Sequence, residues 1–76
     1  MNDKKRRRLI KAMSLLREAA GYVNDVKDDE DEALSNMPEN LQYSDRYEKM
    51  EKAVDALESA SESIESAIDS IYEATE

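Results

Sequence analysis

Three clusters of charged or polar side chains hold most of the chemistry that this sequence could support. Residues 4–8 form an unbroken basic run, a pattern that binds phosphate groups. Asp25 and the acidic run at residues 28–32 offer the oxygen atoms that hard cations prefer. Residues 40–49 combine amides, tyrosines and cations, which are typical of binding surfaces.

These clusters lack the residue types that most enzymes use for catalysis. The chain has no histidine and no cysteine, so the usual general base, thiolate nucleophile and transition-metal ligands are absent. No glycine-rich loop could cradle a phosphate, and the acidic run lacks the glycine and ligand spacing of a calcium-binding loop. We therefore expect no enzyme activity, no cofactor and no metal site.

Charge argues against nucleic acid as a partner. The chain carries a net charge of −8, which divides into +5 over residues 1–27, −6 over residues 28–43 and −7 over residues 44–76. Such a chain repels a polyanion except at its basic start. We expect no nucleic-acid partner unless it is bound through Lys4, Lys5, Arg6, Arg7 and Arg8, which could instead pair with the acidic end of the chain.

Composition predicts a small helical protein. The 76 residues include one glycine and one proline, so there is little material for strand turns, and residues that favour helix dominate. No apolar run could cross a bilayer or act as a secretion signal, so we expect no membrane partner. The absence of cysteine favours a reducing compartment, and we expect a cytoplasmic protein.

Both halves of the chain carry apolar residues in alternating steps of three and four, the heptad spacing of coiled coils. The first repeat runs through Leu9, Met13, Leu16, Ala20, Val23, Lys27, Glu30, Leu34 and Met37. The second runs through Tyr47, Met50, Val54, Leu57, Ser61, Ile64, Ile68, Ile71 and Thr75. We label the heptad positions a to g, with Met13 and Ile68 at a.

These repeats mesh if the chain folds back on itself. Opposed core residues then have numbers that add to 80 or 81, as for Leu16 with Ile64. This agreement predicts an all-α fold, an antiparallel two-helix coiled-coil hairpin spanning residues 1–76. We expect the first helix at about residues 3–36, the connection at 37–43, where Pro38 ends the helix, and the second helix at about 44–74.

Polar residues interrupt the predicted core. Lys27 and Glu30 fall at core positions one turn apart and are expected to pair, which would set register or oligomer state. At the flanks of the core, Arg17 is expected to meet Glu65 on the other helix.

A second apolar strip, at heptad positions c and g, remains outside the hairpin core. Small side chains there would let another helix approach closely, although alanines also simply favour helix. We predict self-association, most simply a dimer that forms a four-helix bundle. The candidate contact residues are Ala12, Leu15, Ala19, Tyr22, Val26, Ala53, Ala60 and Ala67.

Residues 40–49, the least repetitive stretch of the chain, are the candidate site for a partner or ligand. It surrounds the start of a helix, where free N–H groups attract anions, although Asp45 opposes a second anion there. A capped turn with Tyr47 in the core is the alternative interpretation. The candidate residues are Asn40, Gln42, Tyr43, Arg46, Tyr47 and Lys49.

Residues 28–58 resemble a group of small, uncharacterised acidic helical proteins of Firmicutes and their phages. A turn and the heptad after it carry the resemblance, through Asn36, Met37, Pro38, Glu39, Leu41, Gln42, Ser44, Asp45, Arg46, Met50, Ala53, Val54, Asp55, Leu57 and Glu58. The resemblance implies a phage or mobile-element setting, and no activity.

Three functions stay open at this point. The leading hypothesis is a non-enzymatic helical protein that binds a host protein, including a protein of antiviral defence. The second is an oligomeric sponge that sequesters a nucleotide immune signal, and the third is a structural scaffolding element.

Overall fold

The chain forms two long helices that lie antiparallel along each other. In the computed structural model, which describes residues 1–76, helix α1 spans Asp3–Ser35 and helix α2 spans Asp45–Thr75. One turn of 3-10 helix, Glu39–Leu41, lies in the connection. The two helices pack against each other in a rod of 59 × 15 × 13 Å. This confirms the predicted all-α hairpin, with helix ends within one residue of the expected positions.

Side chains outside the helices fix both starting points. The Asn2 side-chain oxygen accepts a hydrogen bond from the Lys5 amide at 2.8 Å, and the Ser44 hydroxyl accepts one from the Tyr47 amide at 3.2 Å. Each bond satisfies an amide that has no partner within its own helix. The Ser44 hydroxyl also donates to the Leu41 carbonyl at 2.7 Å, which ties the capped start of α2 to the turn before it.

The connection reverses the chain with few residues. Helix α1 ends with the Asn36 amide bonded to the Glu32 carbonyl at 3.0 Å. Pro38 follows in an extended conformation with ψ of 144°, which cannot continue a helix. The Gln42 side-chain amide then donates to the Met37 carbonyl at 3.3 Å and holds the two sides of the turn together.

The seam between the helices follows the predicted heptads. Every residue of the two predicted core repeats is half-buried or buried, including Lys27 and Glu30. Only Met13, with 4% of its surface exposed, is fully buried. Two helices shield a seam from two sides only, so most of its side chains keep some contact with water.

The expected ion pairs do not form. The structure has two ion pairs, Arg6 with Asp3 at 3.3 Å and Lys52 with Glu48 at 3.2 Å, and each lies within one helix. The predicted Lys27–Glu30 and Arg17–Glu65 pairs are therefore wrong. At half-exposed positions water solvates each charge, so a direct contact gains too little to hold two long side chains in place.

Candidate interaction surfaces

The eight residues predicted for self-association form one continuous face of the hairpin, which we call the apolar strip. With 3.6 residues per turn, heptad positions c and g are neighbours on the helix surface. In an antiparallel pair the g positions of both helices lie on the same side of the seam. The strip consists of Ala12, Leu15, Ala19, Tyr22, Val26, Ala53, Ala60 and Ala67.

The two helices contribute differently to this strip. On α1 the largest members are open to water, with Leu15, Tyr22 and Val26 exposed to 55%, 69% and 52%. On α2 the members are alanines, and Ala53, Ala60 and Ala67 are all half-buried beside the seam. The strip is therefore a raised apolar ridge on α1 next to a low, smooth surface on α2.

The opposite side of α2 is predominantly acidic. Positions b and e of this helix, which point away from the strip, carry carboxylates except at Tyr72, and they hold no basic residue. The carboxylates, with Glu76 directly after the helix, are all exposed: Glu48, Glu51, Asp55, Glu58, Glu62, Glu65, Asp69 and Glu76. The hairpin thus presents an apolar side and an acidic side.

The turn brings together only part of the predicted ligand site. A shallow depression there is lined by Gln42, Tyr43, Ser44, Tyr47, Glu48 and Glu51. Tyr43 is 96% exposed, whereas Tyr47 is half-buried at its core position. Asn40, Arg46 and Lys49 lie outside this lining, and the cations among them occupy positions g and c at the loop end of the apolar strip. The depression therefore combines aromatic and amide groups with carboxylates.

One residue of the basic run belongs to the seam. Arg6 lies at position a, directly opposite Thr75, and its Nε donates to the Thr75 carbonyl at 3.1 Å. Its side chain is 37% exposed and also reaches Asp3. Arg6 therefore satisfies a carbonyl at the C-terminal end of α2, where a positive charge is favourable. Extending the heptad one repeat back from Met13 would have found this role.

The rest of the basic run is exposed. Lys5 and Arg8 line a second shallow depression with Met1 and Leu9 at the open end of the hairpin. None of Lys4, Lys5, Arg7 and Arg8 forms an ion pair with the acidic end of α2. The predicted pairing of this run with the acidic end is therefore limited to the Arg6 hydrogen bond.

A polar contact across the seam was missed from the sequence. The Ser61 hydroxyl donates to the Asn24 side-chain oxygen at 2.8 Å, and both residues are half-buried. Asn24 lies one turn nearer the loop than the residue directly opposite Ser61. Because side chains tilt toward the start of their own helix, those of an antiparallel pair lean toward each other, which closes this gap. Together with the Arg6 hydrogen bond, this contact links the two helices in the register that the heptads predict.

Nowhere do three carboxylates gather closely enough to hold a metal ion. Neither helix has the length and apolar content that a bilayer crossing needs.

Comparisons with known proteins identify no relative of this chain. No family model matches the chain, and no curated protein or solved structure is significantly similar to it.

Proposed function

We propose that this protein works by binding other proteins, beginning with a second copy of itself, and that it performs no chemistry. The observation that carries the proposal is the incomplete core: one residue of 76 is buried, while large apolar side chains of the strip remain in water. Chains of this size rarely bury enough apolar surface alone to be stable. A partner on the strip supplies the missing burial.

A second hairpin is the natural cover for the strip. Alanine and serine along α2 allow helix axes to approach to about 8–10 Å, the usual spacing in bundles. Two hairpins joined in this way form a four-helix bundle in which seam residues are shielded from further sides. The same contact removes Leu15 and Tyr22 from water.

The acidic side of α2 then remains free for a different partner. Its carboxylates recur along one face, and only Glu48 is paired with a cation, Lys52, so the surface suits a basic groove on another protein. The resemblance of residues 28–58 to phage proteins supports a host protein as this partner, including one that acts in antiviral defence. Occupying a groove that normally binds nucleic acid would inhibit such a protein.

The two other hypotheses have less support. A nucleotide sponge needs cations around its ligand, but Glu48 and Glu51 line the depression at the turn, whereas Arg46 and Lys49 do not. A scaffolding role requires only self-association, and the acidic side of α2, on which only Glu48 has an ion-pair partner, favours a further partner over it.

Self-association is tested by placing a charge on the strip. We expect Ala19→Glu to shift the purified protein from dimer to monomer in size-exclusion chromatography with light scattering. The matched control is Ser14→Glu, which adds the same charge to α1 at an exposed position b, away from the strip. Equal behaviour of the two variants would show that the strip is not the contact surface.

Binding through the acidic side is tested with salt and with neutral variants. A captured host protein should dissociate as sodium chloride rises from 50 mM to 500 mM, since exposed charges are screened over about 10 Å at 0.1 M. Replacing Glu58, Glu62 and Glu65 by glutamine should weaken the complex but leave the dimer intact. If neither the added salt nor the glutamine substitutions weaken the complex, charge is excluded as the basis of recognition.

A further inference from the structure

Two hairpins can cover each other's apolar strips in two ways. In the first, both connections lie at the same end of the bundle and α1 packs on the α2 of the partner copy. In the second, the connections lie at opposite ends and α1 packs on the α1 of the partner copy. We infer the second, opposite-end arrangement; this rests on the self-association proposed above and adds its geometry.

The outer edge of the strip on α1 is complementary in charge to a second α1 that runs antiparallel to it. Positions c and f along this edge begin with basic residues, pass through apolar ones and end with acidic ones. Its members are all exposed: Lys4, Arg8, Lys11, Leu15, Glu18, Tyr22, Asp25, Asp29 and Glu32. A helix with this pattern pairs favourably with an antiparallel copy of itself.

A single alignment satisfies all of these positions except Glu18. When the partner's helix α1 is reversed about Glu18 and Ala19, Lys11 faces Asp25 of the partner copy and Leu15 faces its Tyr22. The same alignment sets the basic end of the edge against the acidic end: Lys4 with Glu32, and Arg8 with Asp29. By symmetry each contact between different residues occurs twice. The one repulsive contact is Glu18 with its own copy, which occurs once.

Helix α2 agrees with this alignment independently. The hairpin register places residue 63 beside residue 18, so the same two-fold axis passes close to Ser63. Reversal there sets Ala60 against Ala67 of the partner copy, Ala56 against Ser70, and Lys52 against Glu73. Small residues of α2 thus contact small residues of α2 in the partner copy, and the apolar ridge of α1 contacts the same ridge of the partner copy.

Long-range charge also distinguishes the two arrangements. Residues 21–60, the half of the hairpin nearest the connection, hold twelve acidic and four basic groups, whereas the remaining half holds seven of each. Placing both connections at one end stacks two halves of charge −8. It brings Glu32 close to Asp45 of the partner copy, and the attractive contact of Asp25 with Lys52 leaves that excess of negative charge in place. In the opposite-end arrangement, the half of charge −8 in each copy packs against the half of the other copy that has no net charge.

The first experiment exchanges one predicted pair. Lys11→Glu or Asp25→Lys alone should weaken the dimer about tenfold, because each change turns two attractive contacts into repulsive ones. The double variant should return to within about twofold of the native dissociation constant. The two residues are about 21 Å apart along one helix, so a rescue arises only between copies.

The same-end arrangement gives a different result. There Lys11 faces a serine and Asp25 faces Lys52, so Lys11→Glu would change little and the double variant would stay as weak as Asp25→Lys. That outcome would overturn the opposite-end arrangement.

The second experiment measures the distance between the two connections. The chain has no cysteine, so Tyr43→Cys gives one attachment point for a spin label at a fully exposed position. In a hairpin 59 Å long, opposite ends separate the two labels by roughly 50 Å or more. Labels within roughly 20 Å would show connections at the same end. A monomer at every concentration would refute the self-association itself, a result distinct from either distance.

Discussion

Gly21 offers a stabilising substitution whose size can be worked out in advance. It lies inside α1, is exposed, and does not have a positive φ angle, so its backbone is one that alanine adopts without strain. A Cβ atom added there would meet nothing within 4 Å. Gly21→Ala should therefore stabilise the protein by about 0.5–1 kcal/mol per chain, the full difference in helix propensity.

Thermal unfolding followed by circular dichroism measures this effect. For a chain of this length, 1 kcal/mol corresponds to about 4–8 °C in Tm, so we expect a rise of roughly 2–8 °C. Protein concentration must be held constant, because the Tm of a self-associating protein depends on it. Gly21→Ser is the graded control and should give a smaller rise, since serine lies between glycine and alanine in propensity.

The same substitution reports on the location of the strip. Gly21 occupies position b, on the side away from the proposed contact between copies, so the dissociation constant of the dimer should stay unchanged. A fall in Tm, or a dimer disrupted by one added methyl group, would mean that a close contact forms at Gly21. Either result would refute the reasoning.

Three further predictions concern hydrogen bonds of the hairpin. A double-mutant cycle with Asn24→Ala and Ser61→Ala should give a coupling energy of about 0.5–1.5 kcal/mol by urea unfolding, and additive effects would exclude the contact. Ser44→Ala should lower the free energy of unfolding by about 1 kcal/mol, whereas Ser44→Asp should retain most of the native stability because aspartate also caps helices. Equal stability of the alanine variant and the native chain would show that Ser44 does not cap α2. Arg6→Ala should speed hydrogen exchange in the last turn of α2, whereas Arg7→Ala should not; equal rates would refute the capping role of Arg6.

The fold could be predicted because one pattern fixed several features at once. The heptads set the helix type, the seam and the register, and Pro38 marks the end of the first helix. Each signal is local or strictly periodic, and none depends on the fine placement of a side chain. For this reason the predicted helix ends agree with the structure to within one residue.

Charge contacts were predicted poorly for a physical reason. Opposite charges at suitable spacing, such as Lys27 with Glu30, indicated ion pairs that the structure does not contain. Exposed side chains lose freedom when they pair and gain little in return, so spacing alone does not decide which contacts form. The polar contacts that do cross the seam, from Arg6 and Ser61, involve a carbonyl and an amide oxygen.

The candidate site was predictable only in outline. Positions c and g were recognisable as an apolar strip, and the structure places these residues on one face. The turn was less predictable. The heptads place Arg46 at position g and Lys49 at position c, but the shape of the depression beside them depends on the irregular connection, which no periodic pattern describes.

The central claim is that the hairpin leaves apolar surface which a second copy must cover. Sedimentation equilibrium of the unmodified chain over a wide concentration range tests it most directly, because each chain has a mass of 8.7 kDa. We predict a reversible transition to twice that mass. A single species of 8.7 kDa that remains folded at every concentration would contradict the account.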